Sequence, residues 1–384
     1  MLPRIPYIEW ITGRPAAADH DLGSSDLRRA PPSSNVVPPV LSDRGDPPED
    51  VTLRSQIAAI YGVPPESVLV TAGATHANLV AAATALAAAT ESRTKTNGAT
   101  GTTGTNEAPA VLVENPGYQP LVRTPRGLGA RVDRFSRSAD ERYRLSPDSV
   151  ADAFPDRLAL VTVTNRHNPS GRLTTRETLA SLADRVADAG AYLLVDEVYA
   201  PFVSASEAGS TPGSGPRPFG GVSAAGLPNT VVTGSLTKFY GLGGLTVGWL
   251  VGPQSFVERA RRVLTHVPFV ATPTAALARR ALHHEADLTA RSRDHLASNH
   301  DRLTAFVDGR SDLAGDVPED SSYAFLSHES ADGDAVSEAA WDAGILVVPG
   351  RFFDDASSFR LSLGRAPDEV DAGLDALGAV LDDL

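Results

Sequence analysis

Three short segments of this chain place polar residues directly after an apolar strand. They are Asn168-Pro169-Ser170-Gly171, Asp196-Glu197-Val198-Tyr199, and the run from Ser235 to Lys238 that continues in glycines to Gly244. In an open parallel sheet, the carboxyl ends of the strands face the ligand crevice. We therefore expect an amide, a carboxylate and a lysine amine to face one ligand.

Lys238 is the candidate for the reacting group. A lysine at this turn can extend its amine into a cleft, and the neighbouring glycines allow a close approach of the backbone. Ser235 and Thr237 offer hydroxyls to a phosphate. The only other lysine is Lys95, in the small, polar stretch 91–109, where a solvated loop lysine is the simpler interpretation. The segment around Lys238 does not by itself distinguish a site lysine from a lysine on a surface loop, so the surface loop remains the alternative.

Asp196 and Asn168 supply the polar groups that a pyridine ring would need. Asp196 follows the apolar strand 191–195, where a poorly solvated carboxylate needs a cationic partner such as a pyridinium nitrogen. An ordinary acidic loop is the alternative. Asn168 lies in a tight Asn-Pro-x-Gly turn, from which its amide can reach the phenolic oxygen of such a ring. His167 is expected to pack beside the site, because the histidines show no metal-ligand spacing.

The order Asn-Pro-x-Gly, Asp-x-x-Tyr and Ser-x-x-Lys with a glycine-rich tail resembles class I and II aminotransferases. These are pyridoxal 5'-phosphate (PLP) enzymes of the aspartate aminotransferase superfamily, fold type I, and the resemblance spans roughly residues 53–364. It implies that Lys238 forms a Schiff base with PLP and moves the proton at the substrate Cα. It also implies that Asp196 pairs with the pyridinium nitrogen, and that Asn168 and Tyr199 hold the phenolic oxygen.

The resemblance gives roles to further positions. Gly73-Ala74-Thr75 opens a helix after a strand, so its free N–H groups form an anion site for the phosphate, together with Ser235 and Thr237. Tyr118 matches an aromatic residue that stacks on the pyridine ring, although a simple turn aromatic is the alternative. Arg360 matches the arginine that binds the substrate α-carboxylate through a bidentate fork, with Asn168 beside it.

The chain departs from the family pattern at two places. Thr246 stands where the family usually has an arginine that binds the phosphate, so Arg123, Arg126 or another residue would have to replace it. The family also commonly has a tyrosine shortly before its Leu-Arg pair, and no tyrosine precedes Leu53-Arg54 here. Both departures bear on the affinity for the cofactor.

Strand and helix patterns alternate through the middle of the chain and predict an α/β fold. We expect a mostly parallel sheet flanked by helices in a large PLP-binding domain over 51–270. A smaller α+β domain would form from 271–384 together with a Pro-rich N-terminal arm, residues 1–50. The predicted strands are 67–71, 110–114, 158–164, 191–196, 230–233, 246–251, 323–327, 345–349 and 358–362. The predicted helices include 75–90 and 175–189, the latter with a capping box of Thr174 and Glu177 and a stop at Gly190; loops are predicted at 91–109 and 204–218.

Composition limits the partners. The 34 basic and 47 acidic residues leave a net charge of −13, which argues against nucleic acid or an anionic membrane surface. The chain has no cysteine, so disulfides and thiolate chemistry are excluded. Without a long apolar run or a secretory signal, a cytoplasmic enzyme is expected. The acidic, lysine-poor composition is typical of halophilic proteins, whereas codon use in a GC-rich genome is the alternative.

The expected activity is transfer of an amino group between a small α-amino acid and an α-keto acid. The same residues would serve a PLP-dependent lyase, decarboxylase, racemase or cyclase, and a non-catalytic PLP-binding module or an inactive relative is the remaining alternative. No second arginine marks a dicarboxylic substrate. Candidate pocket walls are Tyr7, Trp10, Phe202 and Tyr323, each of which could equally be core packing. The resemblance further implies a homodimer.

Overall fold

The computed structural model describes residues 3–29, 35–100, 107–204, 215–267 and 269–384. The strands are β1 (His20–Asp21), β2 (Val68–Thr71), β3 (Ala110–Asn115), β4 (Arg131–Ser136), β5 (Leu158–Thr164), β6 (Tyr192–Asp196), β7 (Thr230–Ser235), β8 (Gly248–Val251), β9 (Leu313–Ala314), β10 (Tyr323–His328), β11 (Ile345–Leu346), β12 (Val348–Pro349) and β13 (Ser358–Ser362). The helices are α1 (Pro6–Ile11), α2 (Arg14–Ala17), α3 (Leu53–Tyr61), α4 (Gly73–Thr100), α5 (Gln119–Gly127), α6 (Pro147–Asp152), α7 (Arg176–Asp188), α8 (Gln254–Leu264), α9 (Thr272–His283), α10 (Glu285–Asp308), α11 (Gly333–Asp342) and α12 (Pro367–Asp382).

Within these residues, a central sheet has the strand order β2-β8-β7-β6-β5-β3-β4. Strand β8 runs antiparallel to both neighbours, and the pairs from β7 to β4 are parallel. The inner strands are buried on both faces because helices cover both sides, whereas the edge strand β4 is partly exposed. On β5, Val161 and Val163 pack towards α7, whereas Leu160 packs towards α4 on the opposite face. The predicted α/β fold with a mostly parallel sheet is confirmed.

A second, antiparallel sheet in the C-terminal part has the order β12-β13-β10-β9. Helices α11 and α12 pack on it through Val336, Val370 and Leu377. The N-terminal arm joins this part, because β1 pairs in parallel with β11 and Tyr7 packs with Phe353. The domain limits at residues 50 and 270 stay predictions.

Several local predictions need correction. Helix α4 continues to Thr100, so the loop predicted from residue 91 is wrong over 91–100; extending a helix avoids the cost of a new nucleus. Helix α7 is capped by Thr175, whose hydroxyl accepts from the Thr178 amide at 3.2 Å, and not by Thr174. Residues 101–106 and 205–214, inside the two predicted loops, lie outside the described residues.

Two predicted strands also differ from the strands that the structure shows. Strand β8 begins at Gly248 because Thr246 adopts a left-handed conformation with φ of 49°. The predicted strand 345–349 is divided into β11 and β12 around Val347. Among the described helices, none combines the length and the apolar character that crossing a bilayer would require.

Candidate active site

The three polar segments meet because β5, β6 and β7 are adjacent and parallel. Thr164 at the end of β5 pairs with Asp196, which in turn pairs with Thr233 on β7. Asn168 and Lys238 follow a few residues beyond these strand ends. All eleven residues to which the resemblance gives a role towards the cofactor or the substrate line one cavity of about 280 Å³: Gly73, Ala74, Thr75, Tyr118, Asn168, Asp196, Tyr199, Ser235, Thr237, Lys238 and Arg360.

Asp196 is buried and held in place by hydrogen bonds. Its Oδ2 accepts from Asn78 Nδ2 at 2.8 Å and its Oδ1 from the Val198 amide at 3.1 Å. Asn78 Oδ1 accepts in turn from the Thr233 hydroxyl at 2.7 Å. Burial raises the pKa of Asp196, although Asn78, Val198 and Lys238 oppose this shift. A carboxylate so placed fits a cationic partner such as a protonated ring nitrogen.

The first turn of α4 forms one end of the cavity. Gly73 has a φ of 83°, and strand β8 approaches so closely that a Cβ on Gly248 would lie 2.5 Å from the Gly73 carbonyl carbon. The free N–H groups of this turn and the hydroxyls of Ser235 and Thr237 therefore suit a phosphate. Thr246 lines the same end and is exposed.

Neither Arg123 nor Arg126 lines the cavity, so the suggestion that one of them replaces the family's phosphate-binding arginine is not supported. Both belong to α5. Among the described residues, the cationic side chains in the lining are Lys238 and Arg360.

Arg360, on β13, is 2% exposed and reaches the cavity from the C-terminal sheet. Its Nη1 donates to Asn168 Oδ1 at 2.8 Å and its Nη2 to the Gly23 carbonyl at 3.2 Å. Its Nε has no hydrogen-bond partner among the described residues. The guanidinium thus has neutral partners only, and an anion entering the cavity would compensate its charge.

Asn168 connects Arg360 to the central sheet. Because its Oδ1 accepts from Arg360, its amide nitrogen is left to donate to a ligand. Its backbone N–H donates to the Thr164 hydroxyl at 3.1 Å. That hydroxyl donates to Glu114 Oε1 at 2.5 Å, and Glu114 forms a fully buried ion pair of 2.8 Å with Arg137.

Lys238 is partly buried on the loop after β7. Its carbonyl accepts from the Leu27 amide at 2.9 Å. Burial by itself lowers the pKa of the Lys238 amine, but Tyr199, Asp26 and Tyr7 outweigh it, and the pKa lies above its ordinary value. The free amine is therefore held protonated until a ligand changes its surroundings.

Aromatic side chains wall the cavity. Tyr118 and Tyr7 line it with their rings in edge contact at 5.8 Å. Tyr199 lines it as well, and the ring of Tyr323 lies 5.0 Å behind. Trp10, Phe202 and Tyr323 are not in the lining, which agrees with the alternative of core packing: Trp10 packs on Phe352, and the other two pack on Tyr199.

His167 supports the Asn-Pro-x-Gly turn beside the cavity. Its Nδ1 lies 2.7 Å from the Ser170 hydroxyl and its Nε2 lies 3.0 Å from the Pro116 carbonyl. Burial, with Arg137 nearby, holds the pKa of His167 well below its usual range. The ring is therefore neutral and structural.

Two residues that sequence reasoning missed contact the site. Asn78 lies in the alanine-rich first half of α4, where a polar asparagine is the available signal. Ser25 lies in the N-terminal arm, 2.6 Å from the Tyr199 hydroxyl. Nothing in the local sequence pattern marks Ser25, because the contact joins residues that are 174 positions apart.

The fold is that of fold type I enzymes, and its cavity brings together a lysine, a buried carboxylate and a buried arginine. The family model for aminotransferases of class I and II matches residues 43–377. The chain belongs to this family.

Known relatives agree with this assignment. The chain is 27% identical to capreomycidine synthase of Streptomyces vinaceus over 278 residues, covering 71% of this chain and 68% of that one. It is 29% identical to histidinol-phosphate aminotransferase of Halobacterium salinarum over 279 residues, covering 71% and 70%. The aspartate aminotransferase structure from Thermus thermophilus matches with a TM-score of 0.75 at 19% identity, covering 99% and 97%, which shows the fold.

Proposed function

We propose that this enzyme is a PLP-dependent aminotransferase that moves an amino group between an α-amino acid and an α-keto acid. The observation that carries the proposal is the buried Arg360, which faces the same cavity as Lys238 and Asp196 and, within the described part of the chain, has only neutral hydrogen-bond partners. An α-carboxylate matches the fork of this guanidinium. Family membership supports the reaction type, and the amino acid is left open.

The residues present fit PLP. Asp196 would pair with the ring nitrogen, Asn168 Nδ2 and the Tyr199 hydroxyl would hold the phenolic oxygen, and the ring of Tyr118 would lie against the pyridine. Bound there through a Schiff base with Lys238, PLP would supply an electron sink for the bonds at the substrate Cα.

The protein's own part of the reaction is binding and proton transfer. Arg360 and Asn168 orient the substrate by its carboxylate. The Lys238 amine would take the Cα proton as a general base and return it as a general acid. Tyr7 and Tyr118 cover the reacting centre and reduce the access of water.

A cyclase or lyase of the same fold is the second candidate. The relatives include capreomycidine synthase, which is named as a synthase and not as an aminotransferase, and this supports a reaction other than amino transfer. Such an enzyme would use the same lysine and arginine and differ in which bond at Cα is broken or formed. A non-catalytic PLP-binding module would keep the cofactor residues without turnover.

We further propose a cytoplasmic homodimer whose partner subunit covers the exposed end of the cavity near Thr75 and Thr246. The exposure of both residues supports this proposal, because a phosphate there would otherwise face water. The excess of acidic over basic residues supports an enzyme adapted to high salt.

The first test is borohydride reduction of the PLP-loaded protein, followed by mass spectrometry. Wild type and Lys95→Ala should carry one reduced cofactor on Lys238, and Lys238→Ala should carry none. Lys95→Ala is the matched control because Lys95 is the chain's other lysine. Label on Lys95, or no label at saturating PLP, would overturn the proposal.

The second test separates the two candidate reactions. An amino acid added to the PLP-loaded protein should yield a keto acid and pyridoxamine phosphate if an amino group is transferred. A cyclic or eliminated product with PLP regenerated would favour the cyclase or lyase.

A further inference from the structure

The segment 23–27 of the N-terminal arm, called the strap below, contacts three site residues in turn. The Gly23 carbonyl accepts from Arg360, the Ser25 hydroxyl lies 2.6 Å from the Tyr199 hydroxyl, and the Leu27 amide donates to the Lys238 carbonyl. The contacts come from alternate residues, as in an extended chain with one side towards the cavity.

The other side of the strap is fixed by the C-terminal part. The Asp26 carbonyl accepts from Arg365 Nη1 at 3.2 Å. A Cβ on Gly364 would lie 2.4 Å from the Asp26 carbonyl oxygen and 2.5 Å from that of Ser24, so glycine permits the close approach. The position of Ser25 is therefore set from both sides.

Ser25 is 1% exposed and Tyr199 is also buried. Phe202 and Tyr323 pack on the Tyr199 ring at 5.3 Å and 5.0 Å, which fixes the ring but leaves the hydroxyl hydrogen free to rotate. The hydrogen bond with Ser25 restricts this rotation. If Ser25 donates, the Tyr199 proton is left to point into the cavity.

We propose that Ser25 is a positioning residue that donates to the Tyr199 hydroxyl and directs the Tyr199 proton at the phenolic oxygen of PLP. This inference rests on the proposed function. A donor to that oxygen stabilises its negative charge, so it lowers the pKa that governs the visible absorbance of the bound cofactor. Among the described residues, Asp196, Lys238 and Arg360 line the cavity with Tyr199, and Asp26 interacts with Lys238. The titratable tyrosines nearby are Tyr7, Tyr118 and Tyr323. Replacing the neutral Ser25 alters none of these groups.

The test is a pH titration of the visible band in the PLP-loaded protein. Ser25→Ala should move the midpoint to higher pH by about 0.5–1 unit, the equivalent of one hydrogen bond. Ser24→Ala removes a hydroxyl on the other side of the strap and should leave the midpoint unchanged. In a Tyr199→Phe background, Ser25→Ala should cause no further shift, because the partner is absent.

If Ser25→Ala does not fold or does not bind PLP, Ser25→Thr and Ser25→Val provide the same comparison at equal shape, and only Ser25→Val should shift the midpoint. The role of Ser25 would be overturned, with the proposed function left intact, by either of two results. One is a wild-type midpoint in both Ser25→Ala and Ser25→Val. The other is a Ser25→Ala shift that is as large in the Tyr199→Phe background as in wild type. A wild type without any visible band at saturating PLP would overturn the proposed function together with this role.

Discussion

Asp196 and Arg360 lie at a buried end of the cavity, whereas Thr75 and Thr246 lie at an end that is exposed to solvent. At the buried end each charged group is held by an asparagine: Asn78 binds Asp196 and Asn168 binds Arg360. At the exposed end the donors are backbone N–H groups and hydroxyls, and Thr246 replaces the family's arginine.

The difference follows from the dielectric surroundings. A buried charge interacts strongly with its ligand, because no water competes with the ligand for it. Such a charge therefore determines the orientation of the bound molecule. An exposed anion site is screened by water, so the loss of one cation there is less costly. We therefore expect substitutions at the buried end to change turnover, and substitutions at the exposed end to change cofactor affinity.

Replacing Arg360 should have the largest effect. Arg360→Leu removes two charge-assisted hydrogen bonds to the substrate, worth about 1.5–3 kcal/mol each, so kcat/KM should fall by about 10²–10⁴-fold. The visible band of bound PLP should persist. Steady-state kinetics and absorbance measure both quantities.

Arg351→Leu is the matched control for this substitution, because Arg351 is exposed and pairs with Asp334 on the surface. It should leave kcat/KM unchanged. An Arg360→Leu variant that loses the PLP band together with its activity would show that the two ends do not act separately.

Restoring a cation at the exposed end should have the next largest effect. In Thr246→Arg, an arginine at the phosphate should lower the Kd for PLP by about tenfold, or about 1.4 kcal/mol. The left-handed φ of 49° disfavours a β-branched threonine, so arginine adds no backbone strain. Fluorescence titration of the apoprotein measures the Kd.

Thr265→Arg adds the same charge at an exposed position after α8 and should leave the Kd unchanged. Equal tightening in both variants would indicate a general effect of charge. No tightening in Thr246→Arg would indicate that the phosphate already has a cation, for example from a partner subunit.

Glu197 follows Asp196 in the chain and is buried outside the cavity lining, so it tests the cost of burying a carboxylate that has no ligand to bind. Burial raises the pKa of Glu197 to about 8, opposed by hydrogen bonds from the Ala224 amide and the Ser223 hydroxyl. Because the folded-state pKa exceeds the unfolded one, its stabilising contribution is complete at low pH and is lost as the pH rises through 8. Glu197→Gln removes this loss.

The Tm of Glu197→Gln should therefore exceed that of wild type at pH 9 by a few degrees, which corresponds to about 1 kcal/mol or more. The two proteins should converge near pH 5. Glu177→Gln on the surface helix α7 is the control and should show no such divergence. A constant difference between Glu197→Gln and wild type at both pH values would contradict the assignment.

The buried end was the more predictable one from sequence. Asp196 and Asn168 could be found because an apolar strand followed by a polar turn residue is a local pattern, and parallel strands end at a common edge. Arg360 could be found from its match to the family's carboxylate-binding arginine, and an arginine within an apolar strand also requires an anionic partner.

The contacts that support these residues could not be predicted. Ser25 and Asn78 reach Tyr199 and Asp196 across 174 and 118 positions of the chain, and neither lies in a motif. The end of α4 was missed because residues 91–100 are small and polar, so the preceding helix and not local propensity decides their conformation. The prediction that Arg123 or Arg126 binds the phosphate rests on their charge alone, and the charge of a residue does not predict where its side chain points.

The smallest effect is expected from salt, and it concerns the whole surface rather than the cavity. The net charge of −13 disfavours the compact state through repulsion between carboxylates. Raising the ionic strength from about 0.1 M to 1 M shortens the screening length from about 10 Å to about 3 Å, so Tm should rise with salt, equally in KCl and NaCl.

Because Asp196 and Arg360 are buried, the Kd of a carboxylate inhibitor at Arg360 should change less with salt than the Kd of PLP at the exposed end. A protein that stays folded and active after dialysis into low salt would favour codon composition over adaptation to salt as the origin of its acidity.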